Sequence, residues 1–465
     1  MTELNWLTAT EIADAYAERR LSPVELVKAL IERINALDGK VNAFIKLDAE
    51  GALDAARQAE KDILAGRTRS PLHGVPVAVK DIIDIAGLPT TCHSKVLLDN
   101  IAHADAPVIA HLRAAGAILI GKLSLHEFAF GGPSAELPMP FARNPWATEH
   151  QPGGSSSGSG AALAAGFVPL TVGTDTGGSI RGPAGLCGVV GLKPTYDLVS
   201  RQGVFPLAFT LDHIGPMARS VADTAILLDA LAGNVPGRAF GAELERGVRG
   251  LRFGFVRHFH ETDMIADPEV TAALAQVVRA LTSEGAQVQE VRLPPLKQII
   301  AVQRVIMHAE AWAVHAKWLR ERPADYTSPT RRKLLSGVFL TAGQHVHAQQ
   351  LRGPMIEAVN SVLRDVDILI CANGMDPASR LDDAADMART YPRQARAPFN
   401  LTGHPALAMA AGFTRAGLPL SVQFVGRAHD EVTLLRAGAA YERATQWNTR
   451  RAPIDQTVAR SVAAE

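Results

Sequence analysis

Two runs of glycine and serine lie inside this chain where flexible linkers do not belong. The first is Gly153-Gly154-Ser155-Ser156-Ser157-Gly158-Ser159-Gly160 and the second is Gly173-Thr174-Asp175-Thr176-Gly177-Gly178-Ser179. Such runs are ordinarily spacers. Here they sit among strand-like apolar segments of a compact chain, with Val168–Val172 between them. Each precedes a short helix-compatible segment, where unpaired N–H groups and the helix dipole favour an anion. Glycine at those positions lets backbone approach a ligand where a side chain would block it.

Upstream, Lys80 closes the apolar run Gly74-Val75-Pro76-Val77-Ala78-Val79. A lysine at a strand end ordinarily reaches for water. Held among apolar neighbours, however, an amine disfavours its charged form, and a neutral lysine accepts a proton from a serine hydroxyl. A serine beside such a lysine is a known variant of the nucleophile-and-base arrangement.

The rest of the chain reads as scaffold. Thr8 with Glu11, and Ser22-Pro23 with Glu25, predict two capped helices, the second ending near Gly39. A third helix is expected over Leu53–Ala65, completing a helical flank over about 1–66. From Pro71 strands and helices alternate: a strand within Val75–Ile85, a helix over Asp105–Ala115, a strand over Ala117–Gly121. Ile180–Leu186 reads as a short helix, Gly188–Thr195 as turns, and Ser220–Leu231 as an amphipathic helix. The catalytic core thus spans about 67–235, and Asn234–Gly250 connects it to a second half over about 250–450. There, strands are expected over Leu251–Val256, Ala286–Leu293 and Val366–Cys371, with a helix over Pro268–Ser283. A helical excursion over about 297–357 suits a lid, a pocket wall or a homodimer surface equally. A polar loop over Pro377–Arg396 leads to strands at Ala406–Gly412 and Leu418–Gly426, a helix at Glu431–Thr445, and a loose end from Ala452. This alternation predicts one large α/β domain over 1–465, with a mixed, mostly parallel central sheet covered by helices on both faces.

Lys+Arg and Asp+Glu balance at 47 each, so no net charge draws the chain to nucleic acid. No apolar run is long enough for a bilayer span, and Met1–Arg20 lacks the pattern of a secretory leader. Three scattered cysteines, Cys92, Cys187 and Cys371, give neither a disulfide framework nor a metal motif. Those features point to the cytoplasm. His258-Phe259-His260 and His345-Val346-His347 lack the partner carboxylates or cysteines of a metal site. A phosphate- or nucleotide-binding module is the rival from another class. Neither run fits GxxxxGK[ST], and no GxGxxG follows a strand with an acid in the expected place.

Taken together, Leu72 to Pro194, Leu211-Asp212-His213-Ile214-Gly215-Pro216, Ser220-Val221-Ala222-Asp223 and Asn400-Leu401-Thr402-Gly403-His404-Pro405-Ala406 resemble the amidase signature family. These are serine hydrolases that cleave the C–N bonds of carboxamides. The resemblance implies Ser179 as nucleophile, Ser155 as a bridging serine after a cis peptide bond, and Lys80 as base. It also implies an oxyanion hole from the N–H groups of Thr176, Gly177, Gly178 and Ser179, with Asp175 and Arg181 bracing the loop. His126 and Glu127 read as structural, and Cys187 as a buried inert thiol.

No metal or organic cofactor is implied. The expected partner is a small amide or urea-like substrate, selected by residues between about Lys297 and Arg396. The alternative within the family is the glutamine-hydrolysing A-type subunit of a tRNA-dependent amidotransferase. That subunit is similar around Arg331-Arg332-Lys333-Leu334. Its paired tyrosines are replaced here by Gln344-His345, and Tyr391–Pro398 holds no acid to help bind glutamine. Those departures favour a free-standing amidase.

Overall fold

A strand buried on both faces needs helices above and below it, and most strands of this sheet are of that kind. The computed structural model describes residues 4–233 and 239–455. Its strands are β1 (Phe44–Leu47), β2 (Pro76–Lys80), β3 (Ile118–Leu123), β4 (Leu170–Asp175), β5 (Val190–Lys193) and β6 (His213–Ala218). They continue as β7 (Arg252–Phe255), β8 (Gln287–Glu290), β9 (Ile368–Ala372), β10 (Ala406–Phe413) and β11 (Pro419–Gly426). All eleven join one sheet in the order β1-β3-β2-β4-β6-β5-β10-β11-β9-β7-β8. Every residue of β2, β3, β4, β5, β6 and β9 is buried, whereas the edge strands β1 and β8 are partly exposed.

The expected mixed sheet is present, with a smaller parallel share than the alternation suggested. β2 runs parallel to β3 and β4, and β7 runs parallel to β8 and β9. The other neighbours pair antiparallel. Three strands escaped the sequence reading: β1, which lies within the segment read as a helical flank, β5 and β6. β5 lies in the segment read as turns, since Gly188, Gly191 and Pro194 mask a short run that pairs with β6 and β10. β6 contains Pro216 opposite Val172 of β4.

Local signals fare well at helix starts. Thr8 and Glu11 form the complete reciprocal cap of the Ala9–Ala17 helix. At the Pro23–Val41 helix only the serine half forms, Ser22 Oγ accepting from Glu25 N, and the helix passes Gly39 to end at Asn42 in the left-handed region. The third helix begins earlier than expected, at Ala49, because Asp48 caps it. Within the expected polar loop a helix forms over Ala384–Thr390. Part of the expected connection, residues 234–238, lies outside the described residues, as does the end of the chain from 456. The segment expected to be loose from Ala452 is anchored as far as Asp455, whose carboxylate accepts from Arg33 Nη1 and Nη2 at 2.9 and 3.0 Å. The excursion is helical, over Leu296–Glu321, Ser328–Leu335 and Ala342–Asp365. Among the described residues no helix is long and apolar enough to cross a membrane.

For function, the decisive feature is the parallel trio β3-β2-β4. Their carboxyl ends emerge on one edge of the sheet, delivering Lys80, the Ser124–Phe128 segment and Thr174–Asp175 to the same place. Ligands in α/β sheets bind at such an edge.

Candidate active site

Lys80, the last residue of β2, is fully buried. Its Nζ lies 2.8 Å from Ser155 Oγ and 2.7 Å from Thr174 Oγ1. Among the described residues no carboxylate pairs with it. Burial pushes its pKa down to about 7, against the opposing pull of Asp175 and Asp212. The amine is therefore poised between two hydroxyls near its own titration point.

Ser155 is buried and follows a cis peptide bond from Gly154. Gly154 lies directly against the His126 imidazole, and a Cβ there would stand 2.0 Å from the ring. His126 also donates its backbone N–H to Ser155 O at 3.1 Å, and its Nδ1 is 3.4 Å from the Tyr391 hydroxyl. Burial lowers its pKa to about 3, so the ring is neutral. The segment read as structural is thus part of the wall around Ser155. Glu127 has the structural role expected of it, accepting from Ser94 Oγ at 2.6 Å and from Thr327 N and Oγ1 at 2.9 and 2.6 Å.

The second run is anchored by Asp175, at the end of β4. Side chains alternate along a strand, so Thr174, bonded to Lys80, faces one way and Asp175 the other. Asp175 accepts from Gly178 N at 2.7 Å, Ile180 N at 3.1 Å, Arg181 Nε at 3.0 Å, Arg181 Nη2 at 2.9 Å and Asn400 Nδ2 at 2.8 Å. Arg181 in turn donates to Asn400 Oδ1 at 2.7 Å and Gln423 Oε1 at 2.9 Å. Burial works against the Asp175 charge, but Arg181 and Asn400 outweigh it and hold the carboxyl well below the usual range. Asp175 and Arg181 thus brace the loop from below, in the place expected of them. Asn400 and Gln423 share that duty and were not singled out in the sequence.

One expected oxyanion donor needs correction. The Gly178 N–H already serves the Asp175 carboxylate, a bond that shapes the turn and leaves nothing to offer a ligand. The N–H groups of Gly177 and Ser179 donate to none of the described residues. Gly177 and Ser179 are also partly exposed, while the rest of Gly173–Ile180 is buried. The two runs meet where Ser156 N donates to Ser179 O at 3.1 Å, bringing the backbone of Ser179 beside that of Ser155. From the excursion, Gln303 Nε2 donates to Thr176 O at 3.2 Å. Thr174 and Gln303 went unnoticed in the sequence; strand alternation beside Asp175 is the signal that finds Thr174.

Among the described residues no three His, Cys, Asp or Glu side chains come together as metal ligands. Cys187 is buried, and burial pushes its thiol pKa up, the behaviour of an inert thiol.

The comparisons with known proteins agree on one family. A family model described as Amidase matches residues 25–435. A curated relative from Roseiflexus sp. (strain RS-1), the A subunit of its glutamyl-tRNA(Gln) amidotransferase, is 40% identical over 97% of this chain and 99% of its own length. A solved structure described as a vestigial complex revealing the evolutionary origins of an s-triazine catabolic enzyme superposes with a TM-score of 0.88 at 32% identity. It covers 94% of this chain and 99% of that one. The native peptide amidase of Stenotrophomonas maltophilia superposes at 0.85 with 28% identity, covering 96% of this chain and 98% of its own.

Proposed function

The chain belongs to the amidase family, an enzyme of C–N hydrolysis, and we propose that it works through an acyl-enzyme on Ser179 with Lys80 as base and Ser155 as the proton bridge between them. The observation that carries this reading is the buried Lys80 amine, 2.8 Å from the Ser155 hydroxyl and pushed to a pKa of about 7.

In this mechanism Ser179 Oγ attacks the amide carbon. Its proton passes to Ser155 as the Ser155 proton passes to neutral Lys80. The carbonyl oxygen takes on charge, which the N–H groups of Thr176, Gly177 and Ser179 stabilise. The proton then returns along the same path to the departing nitrogen, and the C–N bond breaks. Water, deprotonated by the same relay, attacks the ester and releases the acid, restoring Ser179. Lys80, Ser155, Ser179 and water account for every proton and electron pair, so the reaction calls for no metal or organic cofactor.

Two substrate readings share this chemistry. The sequence departures at Gln344-His345 and Tyr391–Pro398 speak for a free-standing amidase acting on a small carboxamide or urea-like compound. The likeness to amidotransferase A subunits, running through nearly the full length of both chains, speaks more strongly for a glutamine-hydrolysing subunit that works with partner subunits. A screen of the purified protein against glutamine, alkyl and aryl amides and ureas separates them. Turnover of simple amides by the isolated chain establishes the free-standing enzyme. Turnover of glutamine alone, appearing only with amidotransferase partner subunits present, establishes the other. Product release from none of these compounds under either condition overturns the proposal.

A further inference from the structure

Beside the Ser179 loop lies an arginine with no counter-ion. The Arg396 guanidinium is laid against Gly178, so that a Cβ on Gly178 would stand 2.3 Å from Nε, and a Cβ on Gly182 would stand 3.4 Å from Cζ. Its Nη1 donates to Asn373 O at 3.0 Å, which fixes the orientation. Nε is buried and bonds to none of the described residues. Among the described residues Arg396 makes no ion pair. Nearby carboxylates are taken: Asp175 by Arg181 at 2.9 Å, and Asp376 by Arg393 at 2.7 Å. Burial, with Arg181 beside it, lowers the Arg396 pKa to about 10, which still leaves it cationic at neutral pH.

A half-buried cation without a partner loses part of its hydration, and its buried, unbonded Nε donor adds to that cost. Such a group is retained where something else supplies the negative charge. The guanidinium borders a cleft whose wall includes Gly154, Gly182, Asn373 and Tyr391. Asn373 Oδ1 on that wall is likewise buried without a donor, while its Nδ2 is held by Arg181 O at 2.8 Å and Ser421 Oγ at 3.0 Å. The cleft thus offers an unpaired cation and an unpaired acceptor. Its wall includes Gly154, the residue before Ser155, and Gly182, three residues after Ser179.

We propose that Arg396 receives a carboxylate of the substrate, so that the enzyme selects amides carrying a second, anionic carboxyl group near the scissile bond. This rests on the amide-hydrolase reading and narrows its substrate class. The carboxylate supplies the missing counter-ion, and Asn373 Oδ1 accepts from an N–H of the same molecule. Arg396 is then a specificity residue: it holds the substrate and takes no part in the proton relay.

The test compares each half-amide of a dicarboxylic acid with the neutral diamide of the same acid, using the malonic, succinic and glutaric series. Wild type should favour the half-amide of at least one series by about ten- to a hundredfold in kcat/KM, the range expected for a hydrogen bond to a charged group. Arg396→Gln should erase that ratio mainly through KM, and Arg396→Lys, which keeps the charge, should retain part of it. Equal turnover of every pair by wild type overturns the proposal. So does an equal loss on both members of a pair in Arg396→Gln, which would assign Arg396 to bracing the loop. Binding gives a readout independent of turnover. Ser179→Ala should bind malonate, succinate or glutarate in calorimetry, and adding Arg396→Gln should abolish that binding. If wild type hydrolyses no amide yet this binding difference holds, the hydrolase reading fails and the anion site stands; if binding is absent or unchanged, the anion site fails.

Discussion

The Lys80 amine stands 2.8 Å from the Ser155 hydroxyl, and the bonds around it come from hydroxyls alone. A carboxylate in that position would hold the lysine charged and useless as a base. Two neutral oxygens leave burial as the largest influence, which lowers the pKa to about 7. The base form gains as pH rises, so kcat/KM should climb tenfold per unit below about pH 7 and level off above it. A limb centred near pH 10 would instead report an ordinary lysine. Lys80→Arg stays protonated across this range and should lose activity by about 10²–10⁴-fold, the usual worth of a general base.

Removing the two serines should have unequal effects. Ser179→Ala deletes the attacking oxygen and should bring hydrolysis to background, with the far-ultraviolet circular dichroism unchanged. Ser155→Ala leaves the nucleophile but breaks the bridge to Lys80, and should lower kcat by about 10²–10⁴-fold. Acyl-enzyme trapped on Ser155 in a mass spectrum would reverse the assignment of the two.

Asp175 carries stability as well as shape. Asp175→Asn leaves the fully buried Arg181 without its charge partner and should cost about 3–5 kcal/mol in urea unfolding. Because the folded-state pKa is depressed, the wild-type contribution is complete above about pH 4 and declines as pH falls further. The variant should lose most of that acid-limb dependence. A difference below about 0.5 kcal/mol at neutral pH would show the pair to be dispensable.

At Gly154 the steric argument is direct. A methyl group there meets the His126 ring at 2.0 Å. Gly154→Ala should therefore displace either the ring or Ser155 and reduce activity at least about tenfold, the effect of misplacing a reacting group. His126→Ala removes the obstacle, so the double variant should be more active than Gly154→Ala alone. A double variant no better than the single one would locate the constraint elsewhere.

The site was more legible than the scaffold, for physical reasons. Lys80, Ser155 and Ser179, the proposed relay, stand in glycine-rich or strand-end contexts, so short stretches of sequence single them out, and the fold brings Lys80 and Ser155 together at 2.8 Å. Two helix starts were legible because Thr8 and Ser22 act through neighbours only three residues away. β5 and β6 were not, because their strand character comes from pairing with each other and with distant β4 and β10, in spite of local glycine and proline. Gln303, Asn400, Gln423 and Arg396 reach the loop from far along the chain. No local pattern announces them. The Gly178 N–H is a different case: its acceptor, Asp175, lies only three residues back, within reach of a local reading.

The single bond from Gln303 to the Thr176 carbonyl has a consequence for redesign. It fastens the helical excursion, the expected place of substrate selection, to the loop that carries the proposed nucleophile, Ser179. Grafting a foreign excursion onto this scaffold therefore exchanges a contact of the reaction loop together with the recognition surface. A transplant that lacks an amide donor at the Gln303 position should bind its new molecule and turn it over slowly until that donor is restored.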